Sequence, residues 1–359
     1  MPIVWAAISS HGYGHAAQII PVLNELGTLV PDLSVILRTA VPSEFFQDRL
    51  DIPWTIQSVE QDIGCIQQGP LKIDIPATWR AHFEFHADWE QRLEKETSAI
   101  RSARPNLAII NTSYLACRAA FQAGVPTVGL ANLTWSEVLR PYLSSDAPDQ
   151  LAILSTIEES YAQASFALRI APGLPLAPFK AVIDIAPIAQ PSLSQRVAVR
   201  AHLSMPNSDR LVLIGFGGIP LDSLPWSHMN SMKGVRFVFD GDVPASFPQI
   251  VSLKTLPYSF KTMLASCDAV LTKPGYGTVV ESVALALAVL YVRRYNFADE
   301  QPIVDFLETY GRGCELPVND FLAGRWERAL ETAFASTPRR TSPSCTGAAD
   351  AARHLMRVL

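Results

Sequence analysis

No apolar run in this chain approaches the roughly 20 residues that a membrane-spanning helix needs. The apolar start, Met1-Pro-Ile-Val-Trp-Ala-Ala-Ile8, is short, lacks a basic segment and runs straight into Ser9-Ser10-His11. It reads as a first buried strand, not as a signal peptide. Cysteine is scarce. Cys65, Cys117, Cys267, Cys314 and Cys345 are scattered, odd in number and never spaced CxxC. That excludes a disulfide frame and a cysteine-held zinc, and fits the reduced thiols of a cytoplasmic protein. Charge is sparse too, at 18% of residues with a net of −5 and no run of one sign, so no nucleic-acid partner is expected. Neither GxGxxG, GxxxxGK nor HExxH occurs, so a dinucleotide fingerprint, a phosphate-loop lysine and a zinc-protease helix are not read.

What is present is 48% hydrophobic sequence over 359 residues, enough for two domains with a core each. The chain is organised around Asp268-Ala-Val-Leu-Thr-Lys273-Pro-Gly275-Tyr276-Gly277-Thr278-Val-Val-Glu281. This reads as a buried strand, a glycine turn and a helix. Gly275 and Gly277 let backbone approach a ligand closely, and a helix N-terminus there suits a diphosphate. Glu281 is placed to accept from sugar hydroxyls beside it. Thr278-x-x-Glu281 also has the form of a capping box, and both readings stand at this point.

The same pattern opens the chain. A strand from Ile3 to Ile8 meets the turn Ser9-Ser-His11-Gly12-Tyr13-Gly14-His15, then a helix with a bend expected at Pro21. Strands follow at Leu33–Leu37, Leu107–Ile110, Pro126–Leu130 and Phe166–Ile170, with one long helix expected over 78–101. The proline-dense stretch 171–191 reads as a stiff connector. Strand and glycine turn then restart at Arg210–Ile214 and Gly215-Phe216-Gly217-Gly218. The predicted class is α/β, two doubly wound Rossmann-like units facing a cleft. The expected units are residues 1–190, 191–340 and a closing helix within 341–359 that packs back on the first unit.

These residues resemble a GT-B glycosyltransferase that uses a nucleotide sugar. More closely, the chain is similar to the amino-terminal, glycosyltransferase-like region of plant L-arabinokinase and its stand-alone bacterial relatives. The likeness rests on Ser10-His-Gly-Tyr-Gly-His15, Ala116–Ala120, Asn132-Leu-Thr-Trp135, Pro178–Ile185, Phe216-Gly-Gly218, Gly275-Tyr-Gly-Thr278 with Glu281, and Val292-Arg-Arg294. It runs from about residue 3 to about residue 330, more than one shared loop.

The resemblance implies that Gly217 and Gly218 approach the donor diphosphate. Gly275, Tyr276, Gly277 and Thr278 would bind phosphate, and Glu281 would hold the ribose. Glu300-Gln301 would grip the donor sugar, with Glu in place of the usual Asp. His15 would be the acceptor-side base of an inverting transfer, with Asn111 standing where the closest relatives carry Asp. Kinase activity is not implied.

By residue type alone, His11 qualifies as base as well as His15. Lys273 is a further cation for phosphate. Arg293 and Arg294 either add charge there or form ordinary ion pairs. Tyr13, Asn132 and Trp135 lie on the acceptor side, with Trp135 either stacking on a ligand or filling core. His82 and His86, one helical turn apart, have a chelating spacing but no third ligand, and a solvated helix face or part of an acceptor wall is the alternative. No acidic metal pair is read ahead of a small strand, so neither metal nor cofactor is expected. The partners would be a nucleoside-diphosphate sugar, UDP-sugars included, and a small-molecule or glycan- or lipid-linked acceptor. A non-catalytic sugar-nucleotide-binding module, or a nucleotide-sugar 2-epimerase of the same fold, remains open.

Overall fold

The computed structural model describes residues 1–217 and 224–359. Its first sheet has seven strands: β1 (Ile3–Ile8), β2 (Ser34–Arg38), β3 (Trp54–Gln57), β4 (Leu107–Asn111), β5 (Thr127–Ala131), β6 (Phe166–Ile170) and β7 (Val182–Ile185). Their order is β3-β2-β1-β4-β5-β6-β7, and every pairing is parallel. The second sheet has six: β8 (Arg210–Ile214), β9 (Val235–Phe239), β10 (Ile250–Ser252), β11 (Ala269–Thr272), β12 (Ala288–Tyr291) and β13 (Arg312–Glu315). Their order, β10-β9-β8-β11-β12-β13, repeats the same winding in parallel. Each order reverses beside its first strand, so each lobe carries a crevice at the carboxyl ends of the strands there. The central strands are apolar runs because helices cover both faces, and Val4 to Ile8 have no solvent exposure.

Two local expectations are corrected, and one strand that no pattern announced is added. The long helix over 78–101 is two helices, Ile75–Ala87 and Trp89–Ala103. Asp88 leaves helical geometry (φ −106°, ψ 23°), and Trp89 turns to stack on His86 at 5.3 Å and on Tyr114 at 5.9 Å. Both helices bury the same stripe, so the periodicity runs through the break. The connector contains β7, an edge strand whose half-exposed residues and flanking prolines hide it. At the corresponding edge of the second sheet, β13 is Arg-Gly-Cys-Glu, with no apolar run to betray it. The first helix, Gly14–Leu29, continues through Pro21.

The closing helix Gly347–Met356 lies against the first helix, and Ala351, Ala352 and Leu355 join the core that contains Ala16 and Ile20. The approach is close: a β-carbon on Gly347 would stand 2.0 Å from the Ala186 carbonyl oxygen, so only glycine fits. No described helix is long and apolar enough to cross a membrane.

Candidate active site

In the first lobe the site grows from the ends of β1, β4 and β5. Asn111 closes β4, and its side-chain oxygen stands 2.7 Å from His15 Nδ1. The Asn111 amide nitrogen donates to Gln18 Oε1 (3.3 Å), and Gln18 Nε2 donates to Asn132 Oδ1 (2.9 Å). All four residues are buried, His15 at 7% exposure. This run of amides fixes the imidazole: Nδ1 carries the hydrogen and donates to Asn111, leaving the Nε2 lone pair available. Burial lowers the His15 pKa to about 4, and the Asn111 bond opposes that only in part.

His11 lies edge-on to Trp135, with ring centres 5.1 Å apart, and its Nε2 accepts from Gln67 Nε2 at 3.1 Å. Gly64 sits against both rings; a β-carbon there would come within 2.6 Å of His11 Nδ1 and 2.7 Å of Trp135. Burial first, and then the charges of His15, Lys273 and Arg294, lower the His11 pKa to about 3. That influence places the second lobe's Lys273 and Arg294 within electrostatic reach of the first lobe's histidine turn.

Behind the histidines lies Asp62, which the sequence reading did not single out. It accepts from Ser9 Oγ (2.9 Å) and Trp135 Nε1 (3.0 Å), and burial raises its pKa to about 7. The acceptor-side assignments are corrected accordingly. Trp135 is fully buried and Asn132 is 2% exposed, so neither offers a face to an acceptor. They back the histidines instead. Tyr13 is open, 47% exposed and stacked on Phe45 at 4.8 Å.

In the second lobe the helix Tyr276–Ala284 follows β11, with Gly275 as N-cap and no side-chain cap bond. The capping-box reading is therefore overturned: Thr278 and Glu281 lie inside the helix. Among the described residues, the Tyr276, Gly277 and Thr278 amides meet no acceptor. A β-carbon at Gly277 would meet open space. Gly217, in left-handed geometry (φ 71°), lies beside the Lys273 side chain, 3.8 Å from its Cε to an added β-carbon. Gly218 lies outside the described residues. Burial, with Arg294 next, lowers the Lys273 pKa to about 8. Glu281 pairs with Lys261 at 2.7 Å.

Three second-lobe side chains already have partners. Glu300 is fully buried and accepts from Arg294 Nε (2.6 Å) and the Arg294 amide (3.0 Å), so its carboxylate braces a loop and does not face open cleft. Gln301 is exposed, accepts from Arg293 at 2.9 Å and donates to Asp305 at 2.7 Å. The Tyr276 hydroxyl clasps the lobes, accepting from the Ile188 amide (2.9 Å) and donating to the Ala171 carbonyl (3.1 Å). Tyr142 likewise donates to the Asn296 carbonyl, and Phe297 packs into the first lobe's core. Tyr276→Phe leaves both clasp partners unmet and is expected to cost about 1–3 kcal/mol, read by urea unfolding.

Among the described residues no three His, Cys, Asp or Glu side chains gather as a metal requires, His82 and His86 included. His82 is fully buried, so the solvated-face alternative fails for it as well. Asp240-Gly241-Asp242 has the acidic spacing that the sequence reading passed over. It follows β9, and Asp242 pairs in the open with Lys254 at 2.9 Å.

Two doubly wound parallel lobes, with glycine turns converging at their strand ends, are the GT-B architecture of glycosyltransferases. Similarity to known proteins runs the same way. Among solved structures, the glycotransferase of kitacinnamycin superposes with a TM-score of 0.69 at 14% identity, over 100% of this chain and 99% of that one. The calicheamicin glycosyltransferase gives 0.69 at 15%, over 99% and 98%. A UGT of Medicago truncatula complexed with UDP-glucose gives 0.66 at 11%, over 99% and 98%. In sequence, the chain is similar to L-arabinokinase of Arabidopsis thaliana, 27% identical over 339 residues and 92% of this chain. It spans about a third (32%) of that relative's length. No family model matches.

Proposed function

We propose that this chain is an inverting glycosyltransferase that works without a metal ion, moving a sugar from a nucleoside-diphosphate donor to an acceptor hydroxyl. The observation that carries the reading is the uncapped N-terminus of the Tyr276–Ala284 helix, with Lys273 beside it and the histidine turn of the other lobe within its electrostatic reach. Free amides and a half-buried cation stabilise a departing diphosphate, the role a metal would otherwise take. The acceptor oxygen attacks the anomeric carbon from the opposite face, the bond to the diphosphate breaks, and the diphosphate leaves with the electron pair. The acceptor proton passes to His15 Nε2. A base held to a pKa of about 4 is wholly unprotonated at neutral pH but weak, so the proton moves late, after the bond to the leaving group has loosened.

The donor is assigned to residues 191–340, on Gly217, Gly218, Lys273, the 275–278 turn and Glu281, with Gln301 toward the sugar. The acceptor is assigned to residues 1–190, with Tyr13 at the rim. A UDP-sugar is favoured because a fold neighbour holds UDP-glucose. Five unpaired cysteines favour the cytoplasm.

A thermal-shift panel of uridine, guanosine and deoxythymidine diphosphate sugars tests this. A donor at about 100 times its Kd is expected to add about 2.7 kcal/mol of stability. Glu281→Ala, which removes the ribose contact, is expected to weaken that donor about tenfold or more, about 1.4 kcal/mol. A panel that leaves the melting curve unmoved ends the reading. Nucleoside diphosphate released only with acceptor marks a transferase, sugar inversion without acceptor an epimerase, and neither a binding module.

A further inference from the structure

Two buried acceptor atoms, one on the neighbour of His11 and one on the facing lobe, have no hydrogen-bond donor among the described residues. Gln67 donates through Nε2 to His11, which fixes its amide so that Oε1 points elsewhere; that oxygen is buried and unbonded among the described residues. The side chain is held in place by its backbone: Gln67 bridges Ile73, the Gln68 amide donates to Lys72 (2.9 Å), and the Asp74 amide donates to Ile66 (2.8 Å). From the other lobe comes Asp299, 9% exposed, whose Oδ1 is also buried without a hydrogen bond. Its nearest cation, Arg294 Nη2, stands 3.8 Å away, and that guanidinium already donates to Glu300. The two belong to one locality. Phe297 and Ala298, just before Asp299, pack into the first-lobe core that holds Cys65, two residues before Gln67, and Arg294 and Lys273 act electrostatically on both His11 and Asp299.

An acceptor atom buried and unmet costs about 1–3 kcal/mol, and native proteins rarely leave one without a partner. What would satisfy both is a ligand that brings hydroxyl donors on more than one side. On the reading that this cleft transfers glycosyl groups, we propose that its acceptor is a polyhydroxylated ring or chain, a sugar or polyol. One hydroxyl donates to Gln67, a second to Asp299, and a third faces His15. A flat phenol brings one hydroxyl and would leave both atoms unmet, and sites built on hydrogen bonds reject such a ligand strongly.

The test is calorimetric binding to the full chain saturated with UDP. The probes are D-glucose, sorbitol and myo-inositol on one side, 4-methylumbelliferone and p-nitrophenol on the other. At least one polyol is expected to bind and neither phenol to do so. Gln67→Leu and Asp299→Ala, on different lobes, should each weaken the polyol about tenfold or more, about 1.4 kcal/mol. UDP binding, measured on the same samples, should persist and so reports intact folding. Binding of a phenol without any polyol, binding of neither class, or a polyol affinity that both variants leave unchanged, each overturns the proposal while donor binding stands. Failure of UDP itself to bind removes the glycosyl-transfer reading, and this proposal with it.

Discussion

His15→Ala is expected to lower turnover by about 10²- to 10⁴-fold, the range a positioned general base contributes, while the donor-induced thermal shift persists. Donor contacts are assigned to the second lobe, and His15 belongs to the first, held by Asn111. The loss should therefore fall on kcat with little change in donor affinity. The pH profile carries a second signature. Burial holds His15 to a pKa of about 4, so it stays unprotonated well below the range of an ordinary histidine. Activity should hold as pH falls from 7 to 5 and decline only near 4. An acid limb centred near 6.5, or a variant that keeps its turnover, would remove His15 from the role. Asn111 raises the value only slightly against burial: a neutral amide orients the ring without the attraction a carboxylate would exert on an imidazolium.

The lobes were legible because buried parallel strands are nearly continuous apolar runs, and each glycine turn interrupts the pattern at a strand end. Edge strands were not. Val182–Ile185 and Arg312–Glu315 exist by pairing with a neighbour, and nothing in their own four residues requires a strand. In the site, local pattern found the turns but misplaced a helix start. Thr278-x-x-Glu281 looks like a cap, yet the helix begins three residues earlier than that cap would start it, because Gly275 in extended geometry (φ −110°, ψ 138°) lets Tyr276 turn at once. The amide chain from His15 through Asn111 and Gln18 to Asn132 links positions 96 and 114 residues apart, which a single sequence cannot bring together. Asp62 was invisible for another reason. It lies in a stretch with no periodicity, and only burial beside Trp135 separates it from a surface carboxylate.

That buried carboxylate gives the largest expected stability effect. Asp62 → Asn should stabilise the protein at pH 8 and leave it nearly unchanged at pH 4. Burial raises the Asp62 pKa to about 7 from an ordinary 3.8, so the native state resists ionisation that the unfolded chain undergoes freely. A raised folded pKa contributes stability that is complete below the unfolded value and is lost as pH rises through the folded one. A shift of about three units is worth about 4 kcal/mol, and Asp62 is only 4% exposed, so little of it is screened. Asparagine keeps an oxygen for Trp135 Nε1 and offers an amide to Ser9, removing the charge while retaining the shape. Asp299, raised to about 7 by burial, acts in the same direction. The buried histidines act in the other. His11 and His82 are lowered to about 3 and His15 to about 4, so their stability is present above 6.5 and lost as pH falls toward those values. Between pH 7 and 4 the two carboxylates offset about two of the three histidines. In Asp62→Asn one of those offsets is gone, so the variant should lose more stability than the wild type on acidification. Urea midpoints at pH 8, 6 and 4 read both halves of this expectation, and parallel curves for the two proteins would mean that Asp62 is ionised in the fold at no cost.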